Sequence, residues 1–211
     1  MSDENSEYHL NVFVNCPFDD EYKELFNPLV FTIFDCGFIV RCTLEEADAS
    51  QVRIDKIYKI INESMYGIHD ISRTEPIGSS GLPRFNMPLE LGIFLGAKKY
   101  GDSEQKRKNC LILDIDRYNY QKFISDIAGQ DINAHKNDPR TLVRKVRDWL
   151  RNASGRVTIP SSSIIWGRYQ TFLDELPELC NAANFDLKEL IFNDFSILIT
   201  EWLKEQESHF E

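Results

Sequence analysis

Residues 10–44 read LNVFVNCPFDDEYKELFNPLVFTIFDCGFIVRCTL, and the way this stretch divides decides the fold class. Residues 10–14 (LNVFV) form a short apolar run, rich in β-branched and aromatic side chains and closed by Asn15, Cys16 and Pro17, which is the pattern of a buried strand. From Tyr22 to Cys36 the apolar positions Leu25, Leu29, Ile33 and Cys36 recur at helical spacing, and Gly37 sits where a helix C-terminal cap belongs. Residues 38–44 (FIVRCTL) then read as a second strand. Strand, helix and strand in succession begin an α/β fold.

The alternation continues along the chain. Ile54, Ile57, Ile61 and Met65 mark a second helix, and residues 67–71 (GIHDI) a third strand. The polar, Gly- and Pro-containing segment SRTEPIGSSGLPR at residues 72–84 reads as an exposed loop of the kind that covers sites. Asn86 can cap the next helix, with Pro88 in its first turn and Leu89, Ile93, Gly96 and Tyr100 as its inner face. A fourth strand at residues 110–114 (CLILD), a helix near residues 120–128, a short edge strand at 131–134 and a basic helix over 139–151 complete the pattern. After a polar tail at residues 1–9, residues 10–152 therefore predict a parallel sheet of four to five strands with helices on both faces. A polar link then leads into an all-helical extension over residues 153–211.

Twenty-four basic residues against 34 acidic ones give a net charge of −10, which disfavours binding to a nucleic-acid backbone at long range. The excess is local. Residues 174–211 carry ten acidic residues and two lysines, so the α/β part is nearly neutral and free to accept an anionic nucleotide, while the helical extension presents an acidic surface for solubility or for a partner. The N-terminus MSDENSEYHL lacks the basic start and apolar core of a secretory signal, and the most apolar stretch, residues 29–40, contains Asp35 and is too short to span a bilayer. Five widely spaced cysteines without a CxxC pair read as reduced thiols. The expectation is a cytoplasmic protein with no membrane contact and no direct nucleic-acid partner.

In an open parallel sheet, ligands bind outside the carboxyl ends of the strands. That rule selects Asn15, Cys16, Phe18 and Asp19 after the first strand, Glu45 and Glu46 after the second, Asp70, Ser72 and Arg73 after the third, and Asn86 to Glu90 at the start of the following helix. Glu90 is the foremost candidate: near a helix N-terminus the dipole favours an ionised carboxylate, which can stabilise positive charge, attack as a nucleophile or take a proton from water. The alternative is an ordinary, favourably placed helix glutamate. Asp70 suits ribose hydroxyls, but is equally at home as a turn residue. Cys16 lacks an adjacent activating base and reads as a buried thiol rather than a nucleophile. His9, His69, His135 and His209 show no metal-ligand spacing, and neither a GxGxxG nor a GxxxxGK[ST] phosphate loop is present. The basic positions Arg140, Arg144, Lys145, Arg147 and Arg151 read as a solvated helix face, or as a surface for an acidic partner.

The segment FNMPLELGIFLGA at residues 85–97, followed by the strand CLILD, resembles the Asn-x-x-x-Glu-Leu-Gly helix of the nucleoside 2-deoxyribosyltransferase-like and TIR-like superfamily. The first-strand loop VFVNCPFDDEY and the third-strand ending GIHDIS agree with it over roughly residues 10–150. The resemblance implies a flavodoxin-like sheet and cleavage of the N-glycosidic bond between a base and ribose or deoxyribose. It makes NAD or a related nucleotide the substrate, with no separate cofactor, and suggests a role in immune or antiphage signalling. By it, Glu90 is catalytic, Asn86 lies beside it, and Asp70 with Asn15, Cys16, Phe18, Asp19, Ser72 and Arg73 would hold sugar, base or phosphate. Phe18 or Phe85 would stack on the leaving base, or equally belong to the core. Where TIR proteins usually carry a cysteine and a tryptophan ahead of the glutamate, this chain has Arg84, Phe85, Asn86 and Met87. Self-association, or a partner protein bound through the C-terminal helices, is the expected assembly.

Overall fold

In the computed structural model, which describes residues 7–45, 48, 50–73 and 85–208, five strands form one all-parallel sheet in the order β2-β1-β3-β4-β5. The strands are β1 (Asn11–Asn15), β2 (Ile39–Arg41), β3 (Tyr66–Asp70), β4 (Asn109–Asp114) and β5 (Ile132–Ala134). They alternate with α1 (Lys23–Asp35), α2 (Arg53–Asn62), α3 (Asn86–Tyr100) and α4 (Pro139–Ser154), and α5 (Ser162–Ala183) and α6 (Phe192–Ser208) follow. The arrangement is flavodoxin-like. The order reverses between β1 and β3, and in open parallel sheets ligands bind outside the carboxyl ends of the strands at such a switch point.

Residue alternation along the strands divides the core in two. Val12, Val14, Tyr66, Ile68, Leu111 and Leu113 face α1 and α4, whereas Phe13 packs with Ile57, Ile60 and Phe94 of α2 and α3. Helix α1 is apolar almost all round, with Leu25, Phe26 and Pro28 to Ile33 buried, because a third layer covers the side it turns away from the sheet. That layer is α5 and α6. Phe31 of α1 stacks against Tyr169, Phe172 and Trp202 with ring centroids 5.4, 5.5 and 5.9 Å apart, and Arg168 pairs with the buried Asp35 at 2.7 Å. The acidic helical extension thus belongs to the same hydrophobic core as the sheet. Among the described residues no helix is long and apolar enough to cross a membrane.

Three local expectations are corrected. The buried face of α3 is Met87, Glu90, Leu91 and Phe94, while Leu89 and Tyr100 lie outside, because the helix is rotated to bring Glu90 inward. Asn86 is the first helical residue and not the cap; Phe85 precedes it and supplies no side-chain capping bond. Residues 120–128 form two short 3-10 turns, Asn119–Lys122 and Ser125–Ile127, in place of a continuous helix. Gly37 does take the left-handed conformation (φ 77°) just beyond α1, where a glycine is favoured.

Candidate functional site

The parallel register places Asn15 opposite His69, with Asp70 one residue further on at the carboxyl end of β3. The side chain of Asn15 turns towards α3. Its Nδ2 donates to the carbonyl of Met87 at 2.9 Å and contacts Nδ1 of His69 at 3.0 Å, which fastens the first turn of the Glu90 helix to the central strand. His69 lies edge-on to Phe94 (centroids 4.9 Å apart) and is held neutral, since burial drives its pKa down to about 3 with the charge of Lys108 adding to the effect. A Cβ on Gly67 would stand 2.8 Å from both His69 and Phe94, so this packing requires glycine.

Glu90 is buried, and the structure revises the expectation that the helix dipole keeps it ionised. It is the fifth residue of α3, beyond the turn where the dipole acts most strongly. Burial dominates and raises its pKa from 4.5 to about 7, against the positive charge of Arg53 at the start of α2. No hydrogen bond or ion pair links its carboxyl to another described residue. A carboxyl in this state is close to half protonated at neutral pH, the condition for exchanging protons with a bound substrate.

Asp70 faces the other side of β3 and is fully engaged. It accepts a hydrogen bond from the Tyr22 hydroxyl, another from the Ser72 backbone N–H at 2.9 Å, and lies 3.2 Å from Nε2 of His135. The last contact is off the line of a well-formed hydrogen bond and is chiefly electrostatic. Because Nδ1 of His135 accepts from the Asn137 N–H at 3.1 Å, the neutral ring carries its proton on Nε2, towards Asp70. Burial alone would raise the Asp70 carboxyl, but His135, Ser72 and Tyr22 outweigh it and hold the pKa below the usual carboxylate value. At the end of β4, burial lifts Asp114 to about 6. Its Oδ1 accepts from the Ile115 N–H at 2.7 Å.

The remaining candidates divide between this centre and its surroundings. Cys16 is buried beside it, and burial together with the charges of Asp70, Glu90 and Asp19 pushes its thiol well above the usual range, so it is not a thiolate nucleophile. Asp19 accepts from the Tyr22 N–H at 3.0 Å, while Arg73 bridges Asp19 (3.4 Å) and Glu21 (2.8 Å), tying the loop after β3 to the loop after β1. Glu45 is taken up by Arg41 at 2.8 Å. Asn86 is exposed, and Phe85 is 56% exposed at the mouth of α3. Phe18 packs edge-on against Phe26 and lines a cleft of about 320 Å³ shared with Asp19, Lys23, Phe192 and Phe195; Glu90 does not line it. Glu46 and residues 74–84, which include Arg84 and the larger part of the expected covering loop, lie outside the described residues.

The structure therefore gathers Asn15, Cys16, Asp70 and Glu90 at the carboxyl ends of β1 and β3 and the start of α3. Tyr22, His135 and Asp114 join them without having been singled out. Asp114 closes an apolar strand just as Asp70 does, so the same rule would have found it; nothing local in the sequence marks Tyr22 or His135. Among the described residues no cluster of His, Cys, Asp and Glu is arranged to hold a metal ion. Comparison with protein-family models, with curated proteins and with solved structures gives no significant match.

Proposed function

We propose that the chain is a nucleotide-processing enzyme that cleaves, or transfers across, an N-glycosidic bond, with Glu90 as its catalytic residue and a role in TIR-like immune or antiphage signalling. The observation that carries the first part is the buried Glu90 carboxyl, unpaired with any described residue and raised to about 7, at the carboxyl end of a sheet whose order reverses beside it. As the bond between the anomeric carbon and the base nitrogen breaks, its electron pair leaves with the base and positive charge grows on the sugar. Ionised Glu90 stabilises that charge in a site of low dielectric. A water molecule or an acceptor base then attacks the anomeric carbon, and Glu90 takes the proton that the nucleophile loses. For a base that departs only when protonated, the neutral form of Glu90 supplies the proton first and recovers it in the second step. Nicotinamide needs no such help, because it leaves a cationic ring as a neutral molecule.

A second reading, a catalytically silent nucleotide-sensing or scaffolding module, is favoured by one observation. Asp70, Asn15 and Arg73, expected to hold sugar, base or phosphate, are all occupied by internal hydrogen bonds or ion pairs. The two are separated by incubating the full chain with NAD, NADP, ATP and deoxynucleosides, alone and with enforced clustering, and measuring released base by mass spectrometry. The enzyme reading expects release that Glu90→Gln abolishes. Binding of a nucleotide with no release under any condition supports the sensor.

A further inference from the structure

In a chain of net charge −10, one concave surface is lined by four cations. Arg117 follows β4, Lys136 follows β5, and Arg144 and Lys145 project from α4; together they line a groove of about 600 Å³ that also includes Asp116 and Asp131. None of the four forms an ion pair with a described residue. Lys145 is fixed by its bond to Oδ1 of Asn133 at 3.0 Å, whereas Arg117, Lys136 and Arg144 are exposed, so binding an anion costs them little desolvation. Lys136 and Asn137 both adopt left-handed backbone conformations (φ 56° and 53°), an unfavourable choice for two successive non-glycine residues that turns the chain back sharply and sets Lys136 in the groove wall. The N-terminus of α4 does not itself supply the binding groups, because Asp138 already accepts from the Thr141 N–H at 2.8 Å. The cationic side chains carry the site.

We propose that this groove is a phosphoryl-binding site, holding the phosphates of a nucleotide against Arg117, Lys136 and Arg144. Guanidinium groups bind phosphate oxygens in a forked, charge-assisted geometry, and two of the three cations are of that type. Arg117 and Lys136 follow the carboxyl ends of β4 and β5, the end of the sheet at which Glu90 also lies, and Lys136 is next in sequence to His135, whose ring stands 3.2 Å from Asp70. The ligand class extends the nucleotide reading above, but the site stands on separate residues. It implies that the preferred ligand carries a phosphate or diphosphate, which favours a nucleotide over a free nucleoside.

The test is calorimetric titration of the full chain at low ionic strength with inorganic pyrophosphate, ATP and adenosine. Pyrophosphate and ATP are expected to bind and adenosine not to. Arg144→Gln and Lys136→Gln should each weaken pyrophosphate by about tenfold or more, the usual effect of losing one charge-assisted contact. Arg151→Gln, a charge removed from the same helix outside the groove, should leave it unchanged. Equal losses from Arg144→Gln and Arg151→Gln, or no binding of pyrophosphate, would overturn the proposal. So would salt-sensitive self-association that Arg144→Gln abolishes in a chain that ignores pyrophosphate; that result would assign the groove to the acidic helices of a second copy. Pyrophosphate binding without base release defeats the N-glycosidase reading and leaves the groove intact, whereas base release without pyrophosphate binding does the reverse.

Discussion

Replacing Glu90 by glutamine should make the protein more stable at alkaline pH and leave it nearly unchanged at acid pH. Glutamine keeps the shape of the protonated side chain and cannot ionise. The folded pKa of about 7 lies above the value near 4.3 of a glutamate in an unfolded chain, so between these limits the folded state holds more protons than the unfolded state. Stability contributed by the proton is then fully present below about 4.3 and is lost as pH rises through 7. At about 1.4 kcal/mol per tenfold in affinity, moving the pKa from 4.5 to about 7 corresponds to on the order of 3 kcal/mol at pH 8. Solvent reaching the carboxyl reduces this, so about 2 kcal/mol is the expected gain. Urea unfolding of both proteins at several pH values, followed by the fluorescence of Trp149, Trp166 and Trp202, measures it directly. A midpoint difference that grows from pH 5 to pH 8 at constant m-value is the expected result. Equal stability across the range, or a less stable Glu90→Gln at pH 8, would show that Glu90 is comfortably ionised in the fold and refute the burial account.

Four further substitutions test the scaffold of the site. Asp70→Ala strands the Tyr22 hydroxyl, the Ser72 N–H and the His135 ring in the interior, and should cost about 3–5 kcal/mol; a double-mutant cycle with Tyr22→Phe should return a coupling of about 1–3 kcal/mol, and additivity would deny the contact. Asn15→Ala leaves the Met87 carbonyl and His69 Nδ1 without their donor, at a cost of about 1–3 kcal/mol, with faster hydrogen exchange in the first turns of α3 as its local signature. Gly67→Ala drives a methyl group into His69 and Phe94 and should lower stability by about 1–3 kcal/mol in thermal melts, an outcome absent if that packing is loose.

Strand and helix order were legible because alternation is a local property. LNVFV, GIHDI and CLILD are short runs that alternate with longer helical patterns, the signature of buried parallel strands, and the carboxyl-end rule then placed Asn15, Asp70 and Glu90 near one another. What was not legible depends on partners distant in sequence. The apolar run FNPLVFTIF is buried all round because Tyr169, Phe172 and Trp202 cover it, well over a hundred residues away. The rotation of α3 escaped its own periodicity: Leu89 and Tyr100 fit an inner face as well as Met87 and Phe94 do, and the choice is made by the hydrogen bond from Asn15 to Met87 and the packing of Phe94 on His69. That rotation turns Glu90 from a helix-end carboxylate into a buried acid. The engagement of Asp70 by Tyr22 and His135 is likewise tertiary, and no spacing in the sequence announces it.

The central claim is that Glu90 breaks an N-glycosidic bond, and the most direct measurement is released base. The clustered wild-type chain, supplied with NAD, NADP, ATP and deoxynucleosides, should liberate nicotinamide or a nucleobase detectable by mass spectrometry, and Glu90→Gln, folded by the urea criterion, should liberate none. Release that persists in the folded Glu90→Gln protein would contradict the account.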